Sequence, residues 1–479
     1  MPEKSRAGWT LLLASLGSFM AALDVVIVTT AMPTIQARLG ASLPDLEWTV
    51  NAYNLVFAVL LLTGAALGDR FGRRRMYALG LIGFAAGSAL AALSGSAGEL
   101  IAARAVQGAG GAVLMPLTLT LISHAFPAEK RGTAIGVWGG VTGLGVAAGP
   151  VIGGVIVQEL TWQWIFWINV PVALATAAAT MVAVAESRGP RPRLDPLGLA
   201  LAAAAMFCLT WAPIRAPEVG WAAAEVAGTL AAGVALIGGF ILWERRTAHP
   251  MVPLGYFRRR DFAAANGVGF FLSVSLIGSL FFITQYFQIG LGYSPMQAGA
   301  RILVWMAMPM LVAPPAGALA DRFGNKPFMI AGLALQGAGA LWLAAVAQPN
   351  VSYPILVAPL VISGIGISLC FPTVANAVTG AVPHQDAGVA AGVNTALREL
   401  GAAFGVAVLA AVFVSHGGYG GPAEFVRGFR PAMVVAGLVP LGGILAGLFA
   451  QGRRPAGGPG RAADGPPAAA EPAYVEQTL

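Results

Sequence analysis

Four charged side chains stand where charge is costly. Asp24 lies in the apolar run from Trp9 to Thr30, Arg104 in the run 100–122, and Arg398 and Glu399 are neighbours in the run 388–415. Ionisable groups within hydrocarbon are rare and mark ion pathways or proton relays. Asp24 is of the type that can carry a proton, because protonation removes the charge that hydrocarbon penalises. At 1.5 Å per residue Asp24 lies about 9 Å, and Arg104 roughly 8 Å, below the outer ends of their helices. The two share a depth. The expectation is that Asp24 carries a coupling proton and Arg104 tunes it by charge or hydrogen bonding; a purely structural ion pair is the competing reading. Arg398 and Glu399 point about 100° apart on one helix. One of them is expected to face a central cavity, with an interhelical structural pair equally admissible. Arg301, nearer the outer surface, is expected to snorkel.

These charges are conspicuous because so few exist. The 479 residues include 28 Lys and Arg and 21 Asp and Glu, or 10% charged, against 57% hydrophobic. Mean hydropathy is +0.75. Soluble domains carry about 25% charged residues, so a soluble protein is excluded, and so is a disordered chain. The apolar runs are continuous rather than alternating, which argues against a transmembrane β-barrel.

A crossing helix needs about 20 apolar residues. Spans are expected near 9–30, 48–67, 76–94, 100–122, 133–157 and 165–185, then 197–214 and 222–243, then 262–287, 298–320, 327–347, 354–378, 388–415 and 431–450. The expected fold is an all-α integral membrane protein with 14 transmembrane helices. It divides into a short N-terminus (1–8), a six-helix bundle (9–185), a linker with two extra helices (186–261), a second six-helix bundle (262–450) and a disordered tail (451–479). With the N-terminus inside, 21 of the 28 Lys and Arg fall on the inner side and four on the outer. Basic residues collect in cytoplasmic loops, so both termini are expected in the cytoplasm. The net charge of +7 then reports orientation, not affinity for nucleic acid.

Two segments nearly copy each other: Ala65 to Arg73, with Asp69-Arg70-Phe71-Gly72, and Gly317 to Asn325, with Asp321-Arg322-Phe323-Gly324. Gly108, Gly110 and Pro116 recur as Gly364, Gly366 and Pro372, and Gly132, Gly136, Gly145 and Gly149 recur as Gly388, Gly392, Gly401 and Gly405. The order is that of a parallel six-helix repeat with two helices inserted between the copies. Transporters with such symmetry bind substrate between the halves and rock around it.

Five motifs in order resemble the major facilitator superfamily, in particular its fourteen-helix drug:proton antiporter branch. Leu23 to Pro33 is similar to LDxTIVNVALP, with Val26, Thr29 and Thr30 as departures. The loop around Asp69 resembles GxLADRxGRK, with Ala65 for its first Gly. Leu100, Arg104, Gln107 and Gly108 follow the family's fourth helix, and Gly145, Gly149, Pro150, Gly153 and Gly154 the fifth-helix exporter motif. Trp162 to Phe166 with Asn169-Val170-Pro171 resembles WRWIFxxNVP, with Gln163 for Arg. The resemblance implies proton-coupled efflux of hydrophobic or cationic small molecules by alternating access across a bacterial plasma membrane. The alternative on the same fold is an importer or facilitator of another small solute.

The resemblance also implies a cytoplasmic gate at Asp69, Arg70, Gly72 and Arg73, repeated at Asp321, Arg322 and Gly324. A plain positive-inside anchor is the competing reading, the stronger one for Arg74 and Arg75. In the fifth helix, small residues allow close packing and Pro150 a kink. Polar or aromatic cavity candidates within spans are Asn51, Tyr53, Asn54, Gln107, Gln285, Tyr286, Gln288 and Asn394, besides Arg398 and Glu399. The expected partners are the substrate, protons and membrane lipid, with the chain acting as a monomer. No enzyme constellation, nucleotide-binding loop, metal-ligand spacing or cofactor motif is present in the sequence.

Overall fold

The computed structural model describes residues 3–41, 43–189, 195–247, 250–383 and 386–450; the tail expected to be disordered lies outside them. Among the described residues the regular structure is helical throughout. The first bundle comprises α1 (Glu3–Leu39), α2 (Leu43–Phe71), α3 (Arg73–Leu93), α4 (Ala97–Ala125), α5 (Ala128–Glu159), α6 (Trp164–Trp167) and α7 (Asn169–Ala183). Then come α8 (Pro196–Val219) and α9 (Ala224–Glu244). The second bundle comprises α10 (Arg260–Gln285), α11 (Pro295–Met306), α12 (Met308–Phe323), α13 (Lys326–Val346), α14 (Tyr353–Gly380), α15 (Ala387–His416) and α16 (Pro422–Leu448).

Among the described residues, fourteen stretches are long and apolar enough to cross a membrane. Two of them are interrupted. The sixth span divides into α6 and α7, and the tenth breaks at Ala307, where Pro309 in the first turn of α12 supplies no backbone donor. The last span starts at Pro422, earlier than the hydropathy suggested, and carries Arg427 and Arg430 on the helix rather than in a loop. Arg430 Nε donates to the Ala344 carbonyl at 3.0 Å, so the guanidinium serves the exposed carbonyls at the C-terminus of α13.

The two bundles repeat one packing scheme. In the first, α1 lies on α5, both α2 and α3 on α4, and α3 on α7; in the second, α10 lies on α15, both α12 and α13 on α14, and α13 on α16. The correspondence reaches atoms. A Cβ on Gly145 would lie 2.5 Å from the Phe19 carbonyl oxygen, and one on Gly401 would lie 2.5 Å from that of Phe270. A Cβ on Gly110 and one on Gly366 would each lie 2.4 Å from a facing backbone nitrogen, Phe84 and Gln336 respectively. These contacts set the structural register: Asp24 corresponds to Ser275, Phe84 to Gln336, Arg104 to Leu360 and Gln107 to Ser363.

Between the halves, α5 runs along α11 and α12, and α15 runs along α2. At the end that carries the two DRFG loops, Trp138 and Ile135 of α5, Leu119 of α4 and Ala14 of α1 join Ala375 of α14 and Ala391 of α15 in one apolar cluster. The inserted α8 packs on both α2 and α15, with α9 on its far side.

Candidate functional site: a buried charge cluster and paired latches

The site begins with small residues. Gly145, Gly149 and Gly153 of α5 face α1, where Cβ atoms would crowd Phe19, Val26 and Ile27. This close approach fixes the stretch of α1 that carries Asp24. On the other side, a Cβ on Gly87 would lie 2.5 Å from the Gln107 nitrogen, so α3 also comes close to α4. The α5 helix is continuous through position 150, but the Pro150 side chain lies outside the described residues, as the expected kink therefore does. Gly154 faces Met296 of the second half.

Asp24 is 0% exposed and Arg104 1%. Arg104 Nη1 donates to Asp24 Oδ2 at 2.5 Å. Asp24 Oδ1 accepts from Gln107 Nε2 at 2.7 Å and from Asn169 Nδ2 at 2.8 Å. Arg104 also donates through Nε to the Thr49 carbonyl at 3.1 Å and through Nη1 to Gln107 Oε1 at 2.5 Å. Gln107 Nε2 reaches Ser88 Oγ at 2.8 Å. The guanidinium carbon lies 4.4 Å from the Tyr53 ring centroid, a cation–π contact. Five helices thus converge on one carboxylate–guanidinium pair. Removing one partner of such a pair strands the other charge.

The structure brings Asp24, Arg104, Gln107 and Tyr53 together. Sequence reasoning missed Asn169, Ser88 and Thr49 as members. Asn169 stood in a quoted motif, and its position opening α7 was the available signal. Thr49 acts through its carbonyl, for which no residue type gives a signal.

At the equivalent place in the second half the groups are neutral. Ser363 Oγ donates to Gln336 Oε1 at 2.5 Å, Gln336 Nε2 to Ser275 Oγ at 3.2 Å, and Trp305 Nε1 to Ser363 Oγ at 3.0 Å. The remaining candidates disperse. Tyr286 is fully buried in the second-half core, stacked on Phe429 at 4.5 Å, with its hydroxyl on the Gln348 carbonyl at 2.8 Å. Helix rotation turns it inward, and it opens a π-helical turn over Tyr286–Gly290 that also holds Gln288. Gln285 donates to its own helix, to the Phe281 carbonyl at 3.2 Å. Asn394 is buried and donates to Asn266 Oδ1 at 3.2 Å. Asn51 and Asn54 are half-buried on α2. Arg398 lies over the Phe371 ring, 4.2 Å from its centroid. Glu399 is within electrostatic reach of Arg398 and, across the halves, of Tyr53.

The DRFG loops form two latches. Arg73 donates to Asp69 Oδ1 through Nε and Nη2, both at 2.8 Å. Asp69 faces the start of α15, where a Cβ on Gly388 would lie 2.9 Å from Oδ1. Asp321 has Asn325 where Asp69 has Arg73. Its carboxylate instead accepts from the backbone N–H groups of Gly132 and Thr133 near the start of α5, both at 3.1 Å. Each carboxylate therefore faces the N-terminal part of a helix in the opposite half, where partial positive charge resides. Gly72 and Gly324 make the reversals at φ 105° and 88°, conformations that favour glycine. Arg70 and Arg322 stand exposed over Phe71 and Phe323.

Sequence reasoning missed a strap across the first latch. Arg73 N donates to the Ser187 carbonyl at 2.8 Å, Gly189 N to the Asp69 carbonyl at 2.9 Å, and Arg74 N to Glu186 Oε1 at 2.9 Å.

The profile of the family described as Major Facilitator Superfamily matches residues 14–309 and 264–475. The chain is 38% identical over 411 residues to the tetracenomycin C resistance and export protein of Streptomyces glaucescens, covering 85% of this chain and 76% of that relative. It is 32% identical over 444 residues to the multidrug efflux pump LfrA of Mycolicibacterium smegmatis, covering 92% and 87%. Among solved structures, the proton:xylose symporter XylE aligns with a TM-score of 0.69 at 16% identity, over 94% of this chain and 97% of that one. That last likeness concerns the fold alone.

Proposed function

The chain belongs to the major facilitator superfamily and is a multi-pass transporter of the plasma membrane, not an enzyme; from that premise we propose that it exports hydrophobic small molecules, drugs or antibiotics, in exchange for protons. The export direction is supported by relatives named for tetracenomycin C export and multidrug efflux. The proton role rests on a single observation, the buried Asp24 carboxylate held by Arg104, Gln107 and Asn169.

Protonation of Asp24 removes the charge that holds Arg104 and converts one acceptor oxygen into a donor. Arg104 keeps its Thr49 and Gln107 partners, so the guanidinium stays satisfied while α1 is released from α4. Arg104 also contacts Tyr53, which carries that change to α2. With both termini in the cytoplasm, the paired latches close the inner side, and this conformation is the outward-facing one. Alternating access then requires Asp69 and Asp321 to leave the helix starts of the opposite half. The substrate path lies between two halves of one chain, so a monomer in lipid suffices.

Uptake into inverted membrane vesicles tests direction, coupling and substrate together, with tetracenomycin C and a lipophilic cationic dye as trial compounds. Accumulation should require an imposed pH gradient and collapse when an ionophore dissipates it. Asp24→Asn should abolish gradient-driven accumulation in protein that still folds and inserts, with a lowered melting temperature because the buried Arg104 loses its counter-ion. Retained gradient-driven export by that variant refutes the coupling role, and uptake in the opposite direction refutes export.

A further inference from the structure

The coupling pair leaves two intramembrane charges unused. The Arg398 stem rests against α10, where a Cβ on Gly269 would lie 3.5 Å from its Cγ. Its guanidinium covers Phe371 of α14, and Phe371 tilts against Trp138 of the first half, ring centroids 5.8 Å apart. Trp138 is anchored by Nε1 on Ser18 Oγ at 2.7 Å. Arg398 is thus fixed on an aromatic wall that spans both halves, with one face occupied. Its N–H edge makes no hydrogen bond or ion pair among the described residues. Glu399 follows on α15, about 100° round the helix, and among the described residues it too makes no hydrogen bond or ion pair.

The contrast with Arg104 is chemical. Arg104 spends Nε and Nη1 on protein acceptors and is paired with a carboxylate; Arg398 offers a planar fork with its donors unspent. Such a fork matches carboxylate and other in-plane acceptor oxygens. Adjacent positions on a helix diverge, so Arg398 and Glu399 compensate each other's charge over a distance without closing on one another. A ligand with only positive charge meets Arg398, and one with only negative charge meets Glu399. Each is disfavoured by one of the two groups, which is how a site discriminates by repulsion.

We propose that Arg398 and Glu399 form a two-point site for an amphoteric aromatic compound. An acidic or carbonyl oxygen takes the edge of Arg398, an amino or hydroxyl group donates to Glu399, and the ring system extends the wall of Phe371 and Trp138. This rests on the export reading and narrows its substrate class.

The test uses the purified full chain in detergent and three dyes built on one ring system. They are an amino-rhodamine with a free carboxylate, its cationic methyl ester, and anionic fluorescein, each titrated by fluorescence polarisation. The amphoteric dye should bind about tenfold more tightly than either of the others, the usual worth of one charge-assisted contact. Arg398→Gln should weaken the amphoteric dye and, by removing the repelling charge, strengthen the ester, so that the two converge. Glu399→Gln should close the gap to fluorescein, and Arg398→Lys, which keeps the charge without the fork, should fall between. Equal binding of the three dyes, binding of none, or one common loss for all three in the variants overturns the site. Should a variant fail to fold, the ranking by the unaltered protein still decides. Gradient-driven export together with equal dye binding sinks the site and leaves the export reading; ranked binding without gradient-driven transport does the reverse.

Discussion

Between α1, α3, α4 and α7 the first half holds Asp24 against Arg104, with Gln107, Asn169 and Ser88 around them. At the matching place in the second half, Ser275 and Leu360 replace the pair, and Gln336 and Ser363 complete a neutral network. The flanking contacts are nearly the same in both, down to the glycines that let α5 meet α1 and α15 meet α10. Helix packing therefore does not need the charges. Neutral groups fill the same space in the second half, and a buried ion pair is weak support for stability. The difference between the halves locates the ionisable chemistry, on a scaffold that repeats.

The largest effect comes from making the first half resemble the second one residue at a time. Arg104→Leu copies Leu360 and strands the Asp24 carboxylate, which should cost about 3–5 kcal/mol, read as a large fall in melting temperature with transport lost. Adding Asp24→Ser, after Ser275, should restore most of the stability without restoring gradient-driven export. A double variant as unstable as the single one breaks the comparison, because the charges would then be holding the helices together.

The latches repeat the contrast on a smaller scale. Asp69→Asn leaves the buried Arg73 without its carboxylate and should cost about 2–3 kcal/mol. Asp321→Asn weakens acceptance from two backbone N–H groups and should cost about 1 kcal/mol. Thermal denaturation of the two purified variants checks the order. A larger loss from Asp321→Asn would place the stronger latch in the second half.

Much of this was legible in the sequence, and for stated reasons. Spans show in hydropathy, which is a property of composition over about 20 residues. The meeting of Asp24 and Arg104 follows from depth, since both lie at similar distances from the outer ends of their apolar runs in the sequence. Rotation about a helix axis does not show in this way. Tyr286 reads as a cavity residue by type, yet its side chain turns into the core and stacks on Phe429. The start of α16 was hidden because Arg427 and Arg430 look like loop charges until Arg430 meets the end of α13. The strap at Glu186 and Ser187 binds mostly through backbone, which carries no residue signature. For the same reason Thr49 could not be named.

The smallest prediction concerns what should not differ. A Cβ on Gly145 and one on Gly401 meet a facing carbonyl oxygen at the same 2.5 Å, of Phe19 and Phe270 respectively. Overpacking of this kind costs about 1–3 kcal/mol. Alanine at either position should therefore lower stability by nearly the same amount, within about 0.5 kcal/mol, the scatter expected of independent sites. Function should not follow stability so evenly. Gly145→Ala pushes α1 and displaces Asp24 relative to Arg104, whereas Gly401→Ala pushes α10 and the neutral Ser275. Gradient-driven export should fall further in the first variant than in the second at matched melting temperature. Equal losses of export would mean that the repeat scaffold, rather than the position of the charge pair on it, limits transport.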